Sequence, residues 1–367
     1  MTKLFKLLGL NKPVAGEYGI EIECEGKNMV PIDSKTWGCE DDGSLRGAFP
    51  ESRSEFVLKK PVLYTACEAA LDELIGHQVH AEFSFSFRTS VHIHMNVQTL
   101  TVTELYNLIY TYLLIEQPLV NYCGDGRKGN RFCLRLRDAE GMMEILTMLF
   151  QTGDKHLRRI PADHMRYASI NLEAFKKYGS IEFRAMRGTM DKAIILPWIE
   201  MLNSIKTYAM GVANPKVVHE DFRALGSVGF LNHVLGPENA ARVITPTAER
   251  EMNESYSLSI DLPYNYIEPE PVVELDEAGE AAALRAQMRA AAALIRAENA
   301  PVAARAAEFD ELLQAAAARP GWGAAPGAVP PVWRMGANGA PVRRKPVPAP
   351  VEPEPEMYED GEDDNDD

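Results

Sequence analysis

Short segments of alternating apolar and polar residues constrain the fold of this 367-residue chain more than any other feature. The alternation occurs at 19–24, 83–87, 91–97, 131–137, 167–172 and 181–186. A period of two places apolar side chains on one face of a strand and polar side chains on the other. The pattern therefore predicts an antiparallel sheet that covers a core on one face only. We expect Phe83, Phe85 and Phe87 to belong to that core.

Helical segments interleave with these strands. The spacing of apolar residues predicts helices at about 65–76, 103–117, 139–150 and 192–211. Thr103 is the predicted N-cap of the second helix. Because one sheet face is apolar, the helices are expected to pack behind it, which gives an α+β fold with helices on one side of the sheet.

The charge and the proline content of the chain change near 260–275, which indicates a domain boundary there. The whole chain has a net charge of −15, whereas 261–367 alone has 9 basic and 21 acidic residues and 14 of the 24 prolines. We predict an N-terminal extension at 1–15 and a folded domain at 16–260. A linker with an Ala-rich helical segment follows at 261–319, and a Pro/Ala-rich, acidic tail at 320–367 is predicted to be disordered.

Composition also excludes several classes of partner. The negative charge disfavours nucleic acids and anionic membranes, and no run of about 18 apolar residues predicts a membrane span. The first ten residues contain too short an apolar stretch for a secretory signal. Five scattered cysteines without a CxxC pair favour a reducing compartment. We therefore expect a cytoplasmic protein.

The polar faces of three predicted strands carry reactive side chains instead of the Thr, Ser and Lys of an ordinary wet face. These are Glu21 and Glu23, then His92 and His94, then Glu182 and Arg184. Side chains two residues apart on a strand point the same way, about 6.5 Å apart, so paired carboxylates repel unless a cation lies between them. Carboxylate oxygens suit Mg²⁺ or Mn²⁺, and arginine binds phosphate through paired hydrogen bonds.

Each of these pairs also has an ordinary structural explanation. A Glu-x-Glu pair is common on a solvated sheet edge, and a His-x-His pair on a strand is often only hydrogen-bonded. Glu182 and Arg184 would form an ion pair, and Asp42-Gly43-Ser44 is typical of a turn. Only the combination of these motifs, in this order along one domain, favours a functional site.

The motifs occur in a specific order along the first 210 residues. They are Gly19-Ile20-Glu21-Ile22-Glu23, Asp42-Gly43-Ser44-Leu45, Glu55-Phe56-Val57 ahead of Pro61, Ser90-Val91-His92-Ile93-His94, Arg166 before Asn171-Leu172, Ser180-Ile181-Glu182-Phe183-Arg184, and Gly188-Thr189-Met190-Asp191. This order resembles that of the amidoligases of the glutamine synthetase/glutamate–cysteine ligase-like superfamily, found often in phages, bacteria and fungi. The resemblance covers roughly 16–210, a little over half of the chain.

The resemblance implies both a fold and a chemistry. The fold is a curved, mostly antiparallel sheet whose polar concave face holds divalent metal ions and ATP. The reaction is ATP-dependent amide formation, in which a carboxylate attacks the γ-phosphate and an amine then displaces phosphate from the acyl phosphate. The implied partners are ATP, a carboxylate and an amine, each of the last two a small molecule, a peptide or a protein. The oligomeric state stays open.

The resemblance also assigns roles by position. The metal ligands correspond to Glu21, Glu23, Glu55, His92 and Glu182. Catalytic roles fall to Arg184, which would bind the substrate carboxylate or the γ-phosphate, to His94 and to Arg187. Nucleotide contacts correspond to Arg166, Arg187, Asn171 and Ser44. Strict alternation places Arg187 on the opposite strand face, so its role requires a bulge near Met186.

The chain departs from the family pattern around the third motif. Glu51 competes with Glu55 for one metal-binding role, and Lys59-Lys60-Pro61 replaces the more usual small residues before that proline. The segment after 260 matches nothing in the family.

Three functions remain open at this point. The motif order favours an ATP- and Mg²⁺-dependent carboxylate–amine ligase. The same carboxylates and histidines would also suit a metal-dependent hydrolase or phosphotransferase. The long Ala/Pro-rich segment with its acidic end is common in adaptor segments and suits a non-catalytic structural or interaction protein, such as a virion component.

Overall fold

Seven strands form one antiparallel sheet in the computed structural model of the chain. They are β1 (Tyr18–Lys27), β2 (Trp37–Glu40), β3 (Arg53–Leu58), β4 (Glu82–Ser84), β5 (Ser90–Asn96), β6 (Ile170–Asn171) and β7 (Ser180–Arg187). The strand order is β2-β3-β1-β5-β7-β6, and β4 pairs with the end of β1. All of these ladders are antiparallel, so the predicted sheet type is confirmed.

Helices follow and interrupt the strands. They are α1 (Leu4–Leu7), α2 (Cys67–His77), α3 (Val102–Cys123), α4 (Met142–Thr152), α5 (Glu173–Tyr178), α6 (Lys192–Gly211), α7 (Pro215–Val243), α8 (Ala248–Ser259) and α9 (Asp261–Asn265). The helices predicted from the sequence correspond to α2, α3, α4 and α6. Among the described residues, no helix has both the length and the apolar character to span a bilayer.

The core lies between the apolar face of the sheet and the long helices. Ile20 and Ile22 of β1 are fully buried, as alternation predicts. Tyr112 of α3 packs on Phe183 of β7 with ring centroids 5.3 Å apart. Burial of each such side chain contributes roughly 1.5–3 kcal/mol, so these contacts fix which sheet face turns inward. The prediction of helices on one side of the sheet is confirmed, and the opposite face is left polar.

The first residue of the long helix α3 was predicted incorrectly. Thr101, and not Thr103, is the N-cap: its hydroxyl accepts a hydrogen bond from the Glu104 N–H, and the Glu104 carboxylate accepts one from the Thr101 N–H. This reciprocal capping box satisfies two backbone donors that a helix start leaves free. Thr103 lies inside the helix, where its hydroxyl is 2.7 Å from that of Tyr266.

Three of the predicted strands are shortened or lost. Segment 131–137 is built of turns, and its one bridge joins Leu134 to Ala168. The N–H of Leu136 instead donates to the buried carboxylate of Glu116 at 2.9 Å, so the backbone at this residue is bonded to a side chain and not to a strand. The strand expected at 167–172 is reduced to the two residues of β6.

The three phenylalanines of 83–87 do not all join the core. The strand β4 ends at Ser84, and Phe85 and Phe87 are 40% and 60% exposed. Phe83 stacks on Phe85, and the Phe87 ring stacks on that of Phe132 with centroids 6.4 Å apart. Alternation alone could not show that the strand stops before these side chains reach the core.

The structure describes residues 2–47, 52–157 and 167–269, together with 285–287, 289, 334–335 and 341–342. Tertiary contacts divide the chain into two units, Met1–Glu274 and Leu275–Asp367. In the second unit, β8 (Arg334–Met335) pairs antiparallel with β9 (Pro341–Val342). The rest of the predicted Ala-rich helix and of the predicted tail lies outside the described residues.

Candidate active site

Strand register gathers the predicted site residues on the polar face of the sheet. Glu21 of β1 lies directly opposite His92 of β5, and His94 lies directly opposite Glu182 of β7. On the other side of β1, Glu23 lies opposite Glu55 of β3. Residues directly opposite each other in an antiparallel pair project from the same face, so four strands contribute to one site. We call these residues, together with Asp42, the acid–histidine cluster.

The two histidines connect the carboxylates of this cluster. The Nδ1 atom of His92 is 3.4 Å from Oε2 of Glu21 and 3.3 Å from Oε1 of Glu182. Its Nε2 atom is 2.8 Å from the Ser90 hydroxyl, which donates to Glu23. The Nε2 atom of His94 is 3.1 Å from Oε1 of Glu21. Side chains from β1, β5 and β7 thus bring their nitrogen and oxygen atoms within 3.1–3.4 Å of one another.

The histidines control ionisation of the central carboxyls. Burial by itself would raise the pKa of Glu21, but hydrogen bonds from His92 and His94 outweigh it and lower this pKa below its ordinary value. The pKa of Glu182 is lowered despite burial because His92 and Arg184 are close to it. Burial lowers the pKa of His94, yet Glu21 more than compensates and raises it above the ordinary value. The basic side chains of His92, His94 and Arg184 therefore favour the ionised form of the two central carboxyls, Glu21 and Glu182.

Glu23 and Glu55 hold their protons more tightly than a free carboxyl does, whereas Asp42 does not. Burial raises the pKa of Glu55 to about 8, and the neighbouring charges of Glu21 and Glu23 add to the effect. Burial also raises the pKa of Glu23, which shares a hydrogen bond with Asp42. The pKa of Asp42 falls in spite of burial, because the backbone N–H and the hydroxyl of Ser44 both donate to its carboxylate. More acid groups meet here than the nearby basic groups neutralise.

Two groups of side chains in this cluster have the geometry to hold a divalent cation. One is Glu21, Glu55 and His92, and the other is Glu21, His94 and Glu182; within each group the ligand atoms lie within 4.8 Å of one another. Within the described ranges these are the groups of three or more His, Cys, Asp or Glu that meet this condition. Carboxylate oxygens with an imidazole fit Mn²⁺ or Mg²⁺ better than a thiophilic metal. Glu21 belongs to both groups.

An open cavity of about 330 Å³ exposes the cluster to solvent. We call it the acid cavity; it is lined by Glu21, Glu23, Asp42, Glu55, His92, His94, Asn171, Glu173, Ala174, Lys177, Tyr178, Glu182 and Arg184. The short helix α5 forms its border, although most helices pack on the opposite sheet face. The Lys177 ammonium lies over the ring of Tyr178, 4.6 Å from its centroid.

A second cavity of about 270 Å³ adjoins the acid cavity. We call it the side cavity; it is lined by Val14, Gly19, Ile20, Glu21, Glu40, Val57, Leu58, Lys59, Lys60, Pro61, His94, Asn96, Gln98, Tyr178 and Ser180. Glu21, His94 and Tyr178 line both cavities. A side chain at Gly19 would meet the Cβ of His94 at 3.2 Å, so the missing side chain keeps this junction open.

Arg184 and Asn171 are held by the carboxylate of Glu182. An Arg184 guanidinium N–H donates to Oε1 of Glu182, and the Asn171 amide donates to Oε2 at 2.7 Å. The Asn171 carbonyl oxygen also accepts the N–H of Glu173 at the start of α5. The buried Nε of Arg184 has no hydrogen-bond partner among the described residues. Arg184 lines the acid cavity, where its guanidinium is paired with Glu182.

Other predicted site residues are placed differently. Arg187 does not line the acid cavity; its guanidinium donates to the carbonyl of Tyr122 at the end of α3, 3.1 Å away. Ser44 reaches the site only through its two hydrogen bonds to Asp42. Arg166 and Glu51 lie outside the described residues. Of the two competing carboxylates, Glu55 is therefore the one whose position in the cavity is defined.

Several lining residues were not predicted. Glu173, Lys177 and Tyr178 come from α5, which has no motif that would place it over the polar face. Glu40 lies on β2, a strand too short to show alternation. Asp42 follows β2 and was interpreted mainly as a turn residue. The only sequence feature that these residues have in common is their position next to recognised motifs. Such a position is too weak an indication to identify site residues from one sequence.

The comparison with known protein families agrees with this geometry. Residues 58–206 match the family described as "Putative amidoligase enzyme". The matched segment contains the strands that carry His92, His94, Glu182 and Arg184, and it begins after Glu55. A search of curated proteins found none that is similar to the chain. The amidoligase resemblance expected from the ordered motifs is thus confirmed over residues 58–206, which are similar to this family.

Proposed function

We propose that this protein is an ATP- and Mg²⁺-dependent ligase that joins a carboxylate to an amine through an acyl phosphate. The observation that carries the proposal is the shared position of Glu21, which lies within coordination distance of ligand atoms from both His92 and Glu182 while Arg184 approaches from the same side. Phosphoryl transfer needs cations placed around the moving phosphoryl group, and this cluster provides sites for them.

The cluster suits a dication chemically. Oxygen-rich sites of this kind would hold Mg²⁺, or Mn²⁺ where a histidine nitrogen also binds. A bound dication would supply charge neutralisation on the phosphates and fix their orientation. Glu21, Glu55 and Glu182 are the proposed oxygen ligands, and His92 is the proposed nitrogen ligand. Glu23 lies behind His92, with an Oε2–Nε2 distance of 3.9 Å, and would support this ligand set.

The two reaction steps assign roles to the remaining side chains. In the first, an oxygen of the substrate carboxylate attacks the γ-phosphorus of ATP, and ADP leaves. Arg184, which lines the acid cavity, would bind the transferring phosphoryl group. In the second, the amine attacks the acyl carbon, gives up a proton, and phosphate leaves. His94 lines both cavities, so we assign to it the acceptance of that proton.

The side cavity is the proposed binding place for one of the two substrates. It meets the acid cavity at Glu21 and His94, where the activated carboxyl would lie. Its volume, about 270 Å³, is near the lower limit for ligand cavities, roughly 300 Å³. Glu40 and Lys60 are exposed on its lining, and neither forms an ion pair within the described part of the chain. One carboxylate and one ammonium favour a small zwitterion such as an amino acid or the end of a peptide.

Hydroxylamine provides a test that does not require the natural amine. Purified protein is incubated with ATP, Mg²⁺, hydroxylamine and a panel of carboxylic acids that includes amino acids and short peptides. We expect ADP and a hydroxamate to form in equal amounts with at least one acid. An ¹⁸O label on that acid should pass to inorganic phosphate, since the carboxylate oxygen becomes the bridge of the acyl phosphate.

Two variants control this assay. Glu21→Gln should abolish product formation. Glu25→Gln should not, because Glu25 lies on the same face of β1 but outside both cavities, where it accepts a hydrogen bond from the Arg46 N–H. ADP and phosphate without hydroxamate would indicate a hydrolase or phosphotransferase. Binding of neither nucleotide nor Mg²⁺ would contradict any catalytic use of the cluster.

A further inference from the structure

A buried arginine outside the two cavities is bonded to the strand that carries Arg184. Arg127 follows α3 in a single turn of 3₁₀-helix, Asp125–Arg127, and is only 2% exposed. Among the described residues it forms no ion pair with a carboxylate. Its guanidinium donates to several backbone carbonyls, so this buried cation binds the main chain. Such a group is costly to bury unless its donors are satisfied.

The carbonyls that Arg127 binds belong to two neighbouring segments. On β7 its Nη2 donates to the carbonyl of Arg184 at 2.7 Å, and its Nε donates to that of Ala185 at 3.0 Å. Its Nη1 lies 3.5 Å from the carbonyls of Phe87 and Thr89, at the entry to β5. The planar fork of one guanidinium thus spans the two adjacent strands at one point.

That point is an irregularity in the sheet. Val91 is paired with Met186 and Ile93 with Phe183, so the single residue His92 faces two residues of β7, Arg184 and Ala185. A bulge of this kind leaves backbone groups outside the ladder. The N–H of Arg184 donates to the carbonyl of Ser169 at 2.8 Å. Arg127 donates to the carbonyls of Arg184 and Ala185. Within the bulge, these two carbonyls and the N–H of Arg184 therefore all have hydrogen-bond partners.

The bulge shifts the alternation of residues along the second half of β7. Without it, Arg187 would fall on the face opposite to Glu182 and Arg184; with it, Arg187 pairs with Ser90. We propose that Arg127 is a positioning residue, which holds the β7 bulge and thereby sets the place of the Arg184 guanidinium beside Glu182. The consequence for catalysis rests on the proposed ligase function, whereas the structural consequence does not.

Arg127→Lys tests the proposal with little change of charge or size. A lysine ammonium cannot bridge both strands as a planar fork does. We expect amide hydrogen exchange at 183–187 to accelerate at least tenfold, while the midpoint of thermal unfolding stays near that of the wild type. We also expect kcat for hydroxamate formation to fall at least tenfold with a smaller change in the KM for ATP. Arg242→Lys, an exposed arginine on α7 paired with Glu238, is the matched control and should change neither quantity.

A measurement on the unmodified protein covers the case in which the variant does not fold. By NMR, the Nε–H of Arg127 should exchange with solvent much more slowly than that of the exposed Arg131. Fast exchange of the Arg127 Nε–H would overturn the proposal. Unchanged protection at 183–187 in a folded Arg127→Lys protein would overturn it as well, even if activity fell. If the wild type forms no hydroxamate at all, the ligase proposal fails, and the two exchange measurements still decide the role of Arg127.

Discussion

Glu21 and His94 meet where the acid cavity and the side cavity join, with Oε1 and Nε2 3.1 Å apart. One carboxylate is therefore in reach of both candidate cation groups and of the cavity proposed for a substrate. This junction brings the carboxylates of β1 next to the histidines of β5. It also makes Glu21 the position at which substitution should have the widest effect.

Replacement of Glu21 should abolish metal binding without unfolding the protein. Glu21→Gln removes the anionic ligand shared by both groups, so we expect the affinity for Mn²⁺ to fall at least 100-fold, with Glu25→Gln within threefold of the wild type. Titration followed by the electron paramagnetic resonance signal of free Mn²⁺ measures this directly. Equal affinities for the wild type and Glu21→Gln would show that the cluster does not hold the ion.

Metal affinity should increase with pH through the ionisation of Glu55. Its pKa is raised to about 8, so the carboxyl is mostly protonated at pH 7 and must release a proton to bind a cation. Below that pKa the affinity should rise about tenfold per pH unit and should level off above it. Calorimetry at pH 7 in two buffers of different ionisation enthalpy should show proton release. Glu55→Gln should reduce both the release and the pH dependence; a wild-type profile in that variant would contradict the assignment.

Lys60 should contribute to substrate binding and not to the chemical step. Lys60→Gln removes the ammonium from the side cavity, so we expect the KM for the substrate that carries an anionic group to rise about tenfold with kcat nearly unchanged. The KM for ATP should stay the same. Lys216→Gln, at the start of α7, is the control for loss of an exposed lysine. A reduced kcat at constant KM would place Lys60 in the chemical step instead.

Glu116 should make stability decrease as pH rises. Burial raises the pKa of this carboxyl to about 7, above its unfolded value of roughly 4.3. Between these values the folded state binds a proton that the unfolded state has released, so the free energy of unfolding falls with increasing pH, by roughly 4 kcal/mol in total. Glu116→Gln can still accept hydrogen bonds from the Leu136 N–H and the Ser169 hydroxyl, and should lose this dependence.

Urea unfolding of both proteins at pH 5, 6, 7 and 8 measures the effect. The difference between wild type and Glu116→Gln isolates Glu116 from the other acid groups, and Glu144→Gln, an exposed change on α4, should follow the wild type. Parallel stability curves for wild type and Glu116→Gln would show that Glu116 titrates alike in both states.

Local sequence determined which segments of β1, β5 and β7 are strands and which of their faces is polar. Alternation depends only on neighbours along the chain, and burial of Ile20, Ile93 and Phe183 leaves one choice of inward face. The same periodicity placed Glu21 and His92 on polar faces before any pairing was known. It failed at 131–137, where the N–H of Leu136 is bonded to the side chain of Glu116, which is distant in sequence.

Tertiary structure alone decided which polar residues meet. The pairing of β1 with both β3 and β5 sets Glu23 opposite Glu55 and Glu21 opposite His92, and registers of this kind arise from contacts between distant segments. The bulge bound by Arg127 changes the face of Arg187, which strict alternation cannot show. The position of α5 over the polar face likewise depends on the Asn171 bonds to Glu182 and Glu173. The alternation along a strand determines which of its side chains lie on the polar face. Packing and hydrogen bonding across the sheet determine which residues of other strands those side chains meet.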